Sequence, residues 1–364
     1  MCGFAGFFPS ISPEEDEVFL NRMLKNIRYR GPDCTSTYID ENIAMGHHRL
    51  SIIDIKGGLQ PSYDNISKDS LVFNGEIYDY KKHAKYLSKI GVKLRNFSDT
   101  EVLFQYLINF GIKKTLENID GMFSFAYYNF KKDKVYLVRD RTGEKPIYYS
   151  VFKDHLIFGS ELKTITSFPF FETCIDYSAI LDYLRLDYIP IEKTLFKKIK
   201  KVLPGECVIF SKNKLQSFTY WKYKNILKKN TNIEHAVNKL DTLLAKSVKS
   251  RLVADVPVGL FLSGGIDSSL IAYYCKKYTS NIKTFTIKMS NQTYDESLHA
   301  ENVSKYLGLK NYSLMLEEKD LLQALENIES KLDEPLNDPS IIPTFLVSKL
   351  AKNHVKVALS GDGA

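Results

Sequence analysis

The chain has 364 residues, 44% hydrophobic and 26% charged, which is ordinary for a globular protein but long for a single core, so two domains are expected. Its five cysteines (Cys2, Cys34, Cys174, Cys207, Cys275) lie far apart with no C-x-x-C pair, a pattern that excludes a disulfide framework or zinc ribbon and fits a reducing cytoplasm. The net charge of +7 arises in residues 193–229, where eleven lysines meet the single acid Glu206; with no nucleic-acid motif this reads as a solvated basic surface, and no run approaches the ~20 apolar residues of a membrane span.

The chain opens Met1-Cys2-Gly3-Phe4-Ala5-Gly6. Removal of Met1 would leave Cys2 with a thiol and a free α-amine, a nucleophile and a base of pKa about 8 in one residue. Apolar and aromatic runs at 3–8, 43–48, 71–74, 122–128, 135–139, 147–149 and 156–159 predict strands. Helical spacing appears at 80–90 and 101–110, the latter preceded by Ser98-Asp99 as a candidate N-cap. Together these give an α+β layered domain.

Four polar sites in this half suit a cysteine acting on an amide. Arg49 ends a strand-like run, where a guanidinium can grip a carboxylate in bidentate fashion or simply face solvent. Asn74-Gly75-Glu76 follows residues 71–73 and offers either an oxyanion hole or a turn. Asp99 could bind a substrate ammonium or cap a helix. Arg30-Gly31-Pro32-Asp33 reads as a rigid turn.

Helical spacing at 178–187 leads into the lysine-rich stretch, which contains Leu203-Pro204-Gly205-Glu206 and Tyr220-Trp221. The expected division is a first domain at 1–210, a linker at 211–232 and a second domain at 233–364. Apolar residues Ala236, Leu240, Leu243, Leu244 and Val248 predict a long amphipathic helix opening the second domain. An apolar strand at 256–262 then meets Ser263-Gly264-Gly265-Ile266-Asp267-Ser268-Ser269 and a helical start. A glycine loop at a helix N-terminus can cradle phosphate through its N–H groups or simply be a serine-rich turn capping the helix, and Asp267 could hold Mg2+. Strands at 283–287, 312–316 and 355–359 alternate with helices near 298–307, 321–331 and 343–353, a doubly wound α/β pattern.

The first half resembles the class II glutamine amidotransferase domain of glutamine-hydrolysing asparagine synthetases, through MCGFAGFF, RYRGPD, GHHRLSIID, FNGEIYDY, SDTE, DGMFSFAYY and LVRDRTGEKPIYY. The second half resembles the same family through SGGIDSS, IKTFTI, YDES, LDEP and HVKVALSGDG. The resemblance implies an N-terminal-nucleophile αββα sandwich followed by an adenine nucleotide alpha hydrolase-like doubly wound domain, incomplete at its C-terminal end. It implies that Cys2 attacks glutamine through a γ-glutamyl thioester, with Asn74 and Gly75 stabilising the oxyanion. Arg49, Leu50, Ser51, Ile52, Ile53, Glu76 and Asp99 would hold the substrate. ATP would meet Leu262, Ser263, Gly264, Gly265, Asp267, Ser268, Ser269, Ile287, Ser360 and Gly361, with Asp362 near an acyl-adenylate and Mg2+ as cofactor. Ammonia would pass through a tunnel to an activated aspartate, with Met122 and Phe261 read either as its walls or, by the ordinary reading, as core residues.

Because relatives continue beyond Ser360-Gly361-Asp362-Gly363-Ala364, the resemblance also implies a missing acceptor region and a parallel sheet partly uncovered at 357–359. Three readings stay open at this stage: an asparagine synthetase, a relative with another carboxyl acceptor, and a glutaminase needing a separate C-terminal polypeptide. A homodimer is the other partner arrangement considered.

Overall fold

A computed structural model describes residues 1–223, 232–289 and 295–362. The chain divides into two compact units: Met1–Lys224 with Asp333–Asn337, and Asn225–Leu332 with Asp338–Ala364.

The first unit runs β1 (Gly3–Phe8), α1 (Pro13–Lys25), β2 (Cys34–Ile39), β3 (Ala44–Arg49), β4 (Ser62–Tyr63) and β5 (Ser70–Ile77). It continues with α2 (Tyr80–Lys89), α3 (Asp99–Asn118), β6 (Gly121–Asn129), β7 (Lys134–Arg139), β8 (Tyr148–Phe152) and β9 (His155–Gly159). Helices α4 (Leu162–Thr166) and α5 (Tyr177–Leu186) follow, then β10 (Lys200–Lys201), β11 (Glu206–Ser211) and β12 (Lys214–Thr219). The strands form two antiparallel sheets ordered β10-β8-β9-β1-β3-β2 and β12-β11-β7-β6-β5-β4.

Alternation along each strand builds the layers. Phe4 and Phe8 of β1 face Val72, Ala126, Tyr128 and Val208 of the other sheet, making the inter-sheet core. The intervening Ala5 and Phe7 point outward onto Leu20, Met23 and Leu24 of α1 and Leu162 and Ile165 of α4. Helix α3 packs on β5 and α2 on α3, covering the second sheet. Two packed sheets with helices on their outer faces make the αββα sandwich expected of the first half.

Two expectations change. The stretch expected as a linker at 211–232 is, over Lys214–Thr219, a strand paired along its whole length with β11. It is an exposed polar edge with no apolar face, so periodicity could not reveal it. Residues 224–231 lie outside the described residues. Helix α1 was not anticipated, although Ser12 accepts from the Glu15 N–H and Pro13 opens the helix, a proper N-terminal signature.

The second unit contains α6 (Ile233–Arg251), β13 (Val258–Phe261), α7 (Ile266–Tyr278), β14 (Lys283–Lys288) and α8 (Ser297–Leu307). It ends with β15 (Lys310–Met315), α9 (Glu318–Glu329), α10 (Ile341–Lys352) and β16 (Val357–Leu359). Its sheet is parallel, ordered β15-β14-β13-β16. Helices cover both faces. Val248, Ala272, Cys275 and Ala300 from α6, α7 and α8 pack with Leu260, whereas Val347 and Ala351 of α10 pack on Phe285. The doubly wound pattern is therefore present. Helix α6 runs past its core: Leu244 and Val248 pack, but Leu240 and Leu243, expected on the same face, are exposed.

Candidate active site

Cys2 immediately precedes β1, and the pairing of Gly3 with His48 sets it beside the end of β3. The Leu50 N–H donates to Cys2 Sγ at 3.4 Å, and the thiol donates back to Leu50 O at 3.7 Å. Burial pushes the thiol up, opposed by the Leu50 hydrogen bond and by the positive N-terminus and Arg49. With Met1 in place the α-amine belongs to Met1. Burial lowers it to about 6, against the pull of the Cys2 sulfur, with Arg30 and Lys145 lowering it further. The Met1 amine is thus largely neutral near pH 7 and can accept a proton.

Asn74 and Gly75 sit inside β5 and not in a turn. The paired strand supplies the reason for glycine: a Cβ at Gly75 would lie 2.0 Å from Met122 O. Asn74 is 1% exposed and its Nδ2 has no hydrogen-bond partner. A buried amide left with unused donors is costly unless something else accepts from it. Such a donor suits a developing oxyanion.

Arg49 is buried and fixed by three carbonyls, donating to Ile53 O at 3.1 Å, Asp54 O at 2.7 Å and Ile55 O at 3.0 Å. Three of its five N–H groups are spent on this anchorage; the other two can serve a carboxylate. The Ser51 N–H donates to Asp33 Oδ2 at 2.8 Å, which ties the 50–53 loop to the RGPD turn. Ile52 is half-buried in that loop. Asp99 is buried at the start of α3 and accepts from the Ile77 N–H at 3.0 Å, next to Glu76, and from the Thr100 N–H at 2.9 Å. Ser98, not Asp99, caps the helix by accepting from the Glu101 N–H. Burial lifts Asp99 to about 6, with these bonds and Arg49 pulling the other way. Cys2, Arg49 and Asp99 thus act on one another electrostatically. Glu76 acts on Lys145, whose Nζ reaches Met1 Sδ at 3.5 Å.

Three residues that sequence reasoning left out also matter. Arg30, read as part of a turn, donates Nε–H to Cys2 O at 2.9 Å. Asp33 anchors the 50–53 loop as above. Asp140, in the LVRDRTGEKPIYY stretch, is fully buried and accepts from the backbone N–H groups of Phe123, Thr142, Gly143, Glu144 and Lys145. A carboxylate needed by five amides would explain that motif without any catalysis.

In the second unit the SGGIDSS residues join β13 to α7, with Gly265 as N-cap. Gly264 has φ +87°, and a Cβ there would lie 2.5 Å from Ala300 N. Ser263 Oγ meets Ser268 Oγ at 3.0 Å and accepts from the Gly265 N–H at 3.2 Å. Ser269 Oγ is buried without a partner. The first N–H groups of α7 have no acceptor within the helix. Leu262 is held by its N–H to Phe285 O at 2.9 Å and by Thr286 Oγ1 donating to its carbonyl. Ile287 lies two residues after Phe285 on β14.

Strand β13 has β14 on one side and β16 on the other, and the loops after β13 and β16 flank that reversal of strand order. Open α/β sheets bind ligands there. A Cβ on Gly361 would lie 2.9 Å from Ser268 N, so Ser360-Gly361 borders the glycine loop. Asp362 accepts from Ser360 Oγ at 3.0 Å. Asp267 is the loop's one acid, and no group of three His, Cys, Asp or Glu able to hold a metal occurs among the described residues. It could hold a cation only together with oxygens from a ligand. Of the expected tunnel walls, Met122 pairs with Glu76 across β5 and β6, while Phe261 packs with the Phe285 core.

The family described as Glutamine amidotransferase domain matches residues 1–221, and that described as Asparagine synthase matches residues 239–364. Asparagine synthetase [glutamine-hydrolyzing] 1 of Bacillus subtilis (strain 168) is 35% identical over all of this chain and 58% of its own length. A putative asparagine synthetase [glutamine-hydrolyzing] 2 of Methanocaldococcus jannaschii is 32% identical over all of this chain and 74% of its own. The chain therefore spans 58% of the Bacillus relative's length. Among solved structures, glutamine phosphoribosylpyrophosphate amidotransferase from B. subtilis is similar at 13% identity and a TM-score of 0.47, over 86% of this chain and 81% of that one.

Proposed function

This chain belongs to the glutamine-hydrolysing asparagine synthetase family, and from that premise we propose that it hydrolyses glutamine at Cys2 to supply ammonia for ATP-dependent formation of asparagine from aspartate. The sulfur attacks the side-chain carboxamide carbon of glutamine, and the carbonyl oxygen becomes an oxyanion. Asn74 Nδ2 and the Gly75 N–H donate to it. The neighbouring amine takes the thiol proton and returns it to the leaving nitrogen, so ammonia departs and a γ-glutamyl thioester remains. Water then releases glutamate. Arg49 binds the α-carboxylate, Glu76 and Asp99 the α-ammonium, and residues 50–53 the pocket wall.

In the second unit, the loop 263–269 would hold the ATP phosphates on its N–H groups and serine hydroxyls, with Leu262, Ile287 and Ser360-Gly361 bordering the nucleotide. ATP supplies the adenylyl group that activates the aspartate side-chain carboxylate, releasing pyrophosphate. Ammonia displaces AMP to give asparagine, with Asp362 beside that carbonyl. Asp267 would hold Mg2+ in company with phosphate oxygens. A reducing cytoplasm suits the reading, since all five cysteines are free thiols.

The observation that carries the glutaminase reading is the buried, partnerless Nδ2 of Asn74 on β5, together with the Leu50-bound Cys2 thiol at the head of β1, the strand that packs against β5. The test is ammonia release from glutamine together with mass spectrometry after exposure to 6-diazo-5-oxonorleucine, a glutamine analogue that alkylates an attacking thiol. Adduct on Cys2 and loss of ammonia release in Cys2→Ala are expected. Full release by Cys2→Ala would overturn the reading.

A further inference from the structure

The Leu332-Asp333-Glu334-Pro335 motif belongs by sequence to the second half, yet Asp333–Asn337 fold with the first unit. Asp333 Oδ2 accepts from the Leu162 N–H at 2.5 Å, at the start of α4. This is a cap that the preceding residue, Glu161, does not provide with its own side chain. Asp333 Oδ1 pairs with Lys163 Nζ at 3.4 Å, and Lys163 also pairs with Glu161 Oε2 at 3.2 Å. Glu334 is held alike, accepting from the Leu195 N–H at 3.1 Å and pairing with Lys201 at 2.7 Å.

Glu161 in turn binds Arg30 Nη1 at 2.8 Å, with both side chains 8% exposed. Tyr29 donates to its other oxygen at 2.5 Å. Arg30 Nε–H donates to Cys2 O, while Arg30 Nη2 is buried with no partner. Among the described residues, Glu161 is the acid that places the arginine next to the nucleophile. The adjoining Ser160 grips the same strand a second time: its Oγ accepts from the Phe4 N–H at 3.0 Å and its N–H donates to Phe4 O at 2.9 Å. Residues 160–163 are thus a clamp on the nucleophile's strand, and Asp333 holds the back of that clamp. Burial and the nearby Glu161 carboxylate lift Asp333 to about 6, as expected for two acids sharing one lysine.

We propose that Asp333 is a positioning residue for glutamine hydrolysis, acting through Lys163, Glu161 and Arg30 to hold the Cys2 main chain where its thiol can attack. The proposal rests on the reading of Cys2 as nucleophile. It gives LDEP a role in the glutaminase half and makes that half's rate depend on a segment from late in the chain. Misplacing a nucleophile by about 1 Å costs on the order of 100-fold in rate, so partial loosening should be readily measurable.

The test measures kcat and KM for ammonia release in the full chain. Asp333→Ala should lower kcat at least tenfold with KM within twofold, because the glutamine-holding groups are untouched. Asp333→Asn keeps an acceptor for Leu162 and should retain more than a third of the rate. Lys163→Met should match Asp333→Ala, and the double variant should be no slower than either single one, as expected for residues acting in series. Unchanged kcat, a loss confined to KM, or losses that multiply in the double variant would each overturn the proposal. If Asp333→Ala does not fold, Asp333→Asn and Lys163→Met decide. Alkylation of Cys2 by iodoacetamide separates the two readings: slowed fivefold or more in Lys163→Met, it upholds the positioning role even if the wild-type chain releases no ammonia. Equal alkylation rates overturn it.

Discussion

Cys2 Sγ meets both backbone polar groups of Leu50, accepting from its N–H at 3.4 Å and donating to its carbonyl at 3.7 Å. The antiparallel register of β1 on β3 brings the two residues together, so the fold itself aims a fixed donor at the sulfur. Burial disfavours the thiolate, and the Leu50 N–H returns part of that cost once the proton leaves. Attack therefore depends on how well the next charge, the oxyanion, is received.

That dependence makes Asn74 the first residue to change. Asn74→Ala should lower kcat for glutamine hydrolysis by about 100- to 1000-fold, the usual loss for one oxyanion donor, with KM nearly constant. Steady-state ammonia release measures both. A raised KM at unchanged kcat would assign Asn74 to ground-state binding instead.

Asp99 predicts a pH limb. Its carboxyl titrates near 6 in the folded, ligand-free chain, so it is charged above that pH and neutral below it. Ammonium binding needs the charge, and kcat/KM should fall as pH drops through 6. The bound ammonium pulls the group down, so kcat should hold to lower pH. Stability moves in the opposite sense: a carboxyl raised on folding favours the fold at low pH, and that contribution is lost as pH rises through 6. A kcat/KM flat from pH 7 to 5 would remove Asp99 from the ammonium site.

Asp140 should matter for stability. Asp140→Ala leaves five backbone N–H groups without their acceptor, and unfolding of the first unit should become easier by about 3–5 kcal/mol. Urea titration followed by tyrosine fluorescence tests this. A loss below about 1 kcal/mol would mean that water replaces the carboxylate.

Gly264 should separate the two chemistries. Gly264→Ala forces a side chain into φ +87° and against Ala300 N, so ATP affinity should fall at least tenfold by equilibrium dialysis while ammonia release from glutamine stays at the wild-type rate. Unaltered ATP binding would place the nucleotide elsewhere.

Much of this was legible in the residues. Strands whose apolar runs alternate between two cores, such as β1 and β6, stand at or within a residue of their expected limits. Asn74-Gly75 carries a turn signature, yet lies mid-strand because Gly75 answers to the neighbouring Met122 carbonyl, a demand set across the sheet. Strand β12 was hidden because nearly all of it faces solvent. Arg30 and Asp33 read as turn residues and Asp140 carried no reading of its own, and their partners lie as far as 28 positions away. No local pattern records such pairings, and the seat of Asp333 on α4, 171 positions off, is the extreme case.

That seat bears on how the protein can be dissected. A piece cut at the family boundary near 221 would contain every residue proposed to touch glutamine, yet would leave Leu162 N–H without its carboxylate and Lys163 and Lys201 without Asp333 and Glu334. Such a piece is a cropped unit and not an excised domain. A faithful excision of the first unit would need to graft residues 333–337 back onto it.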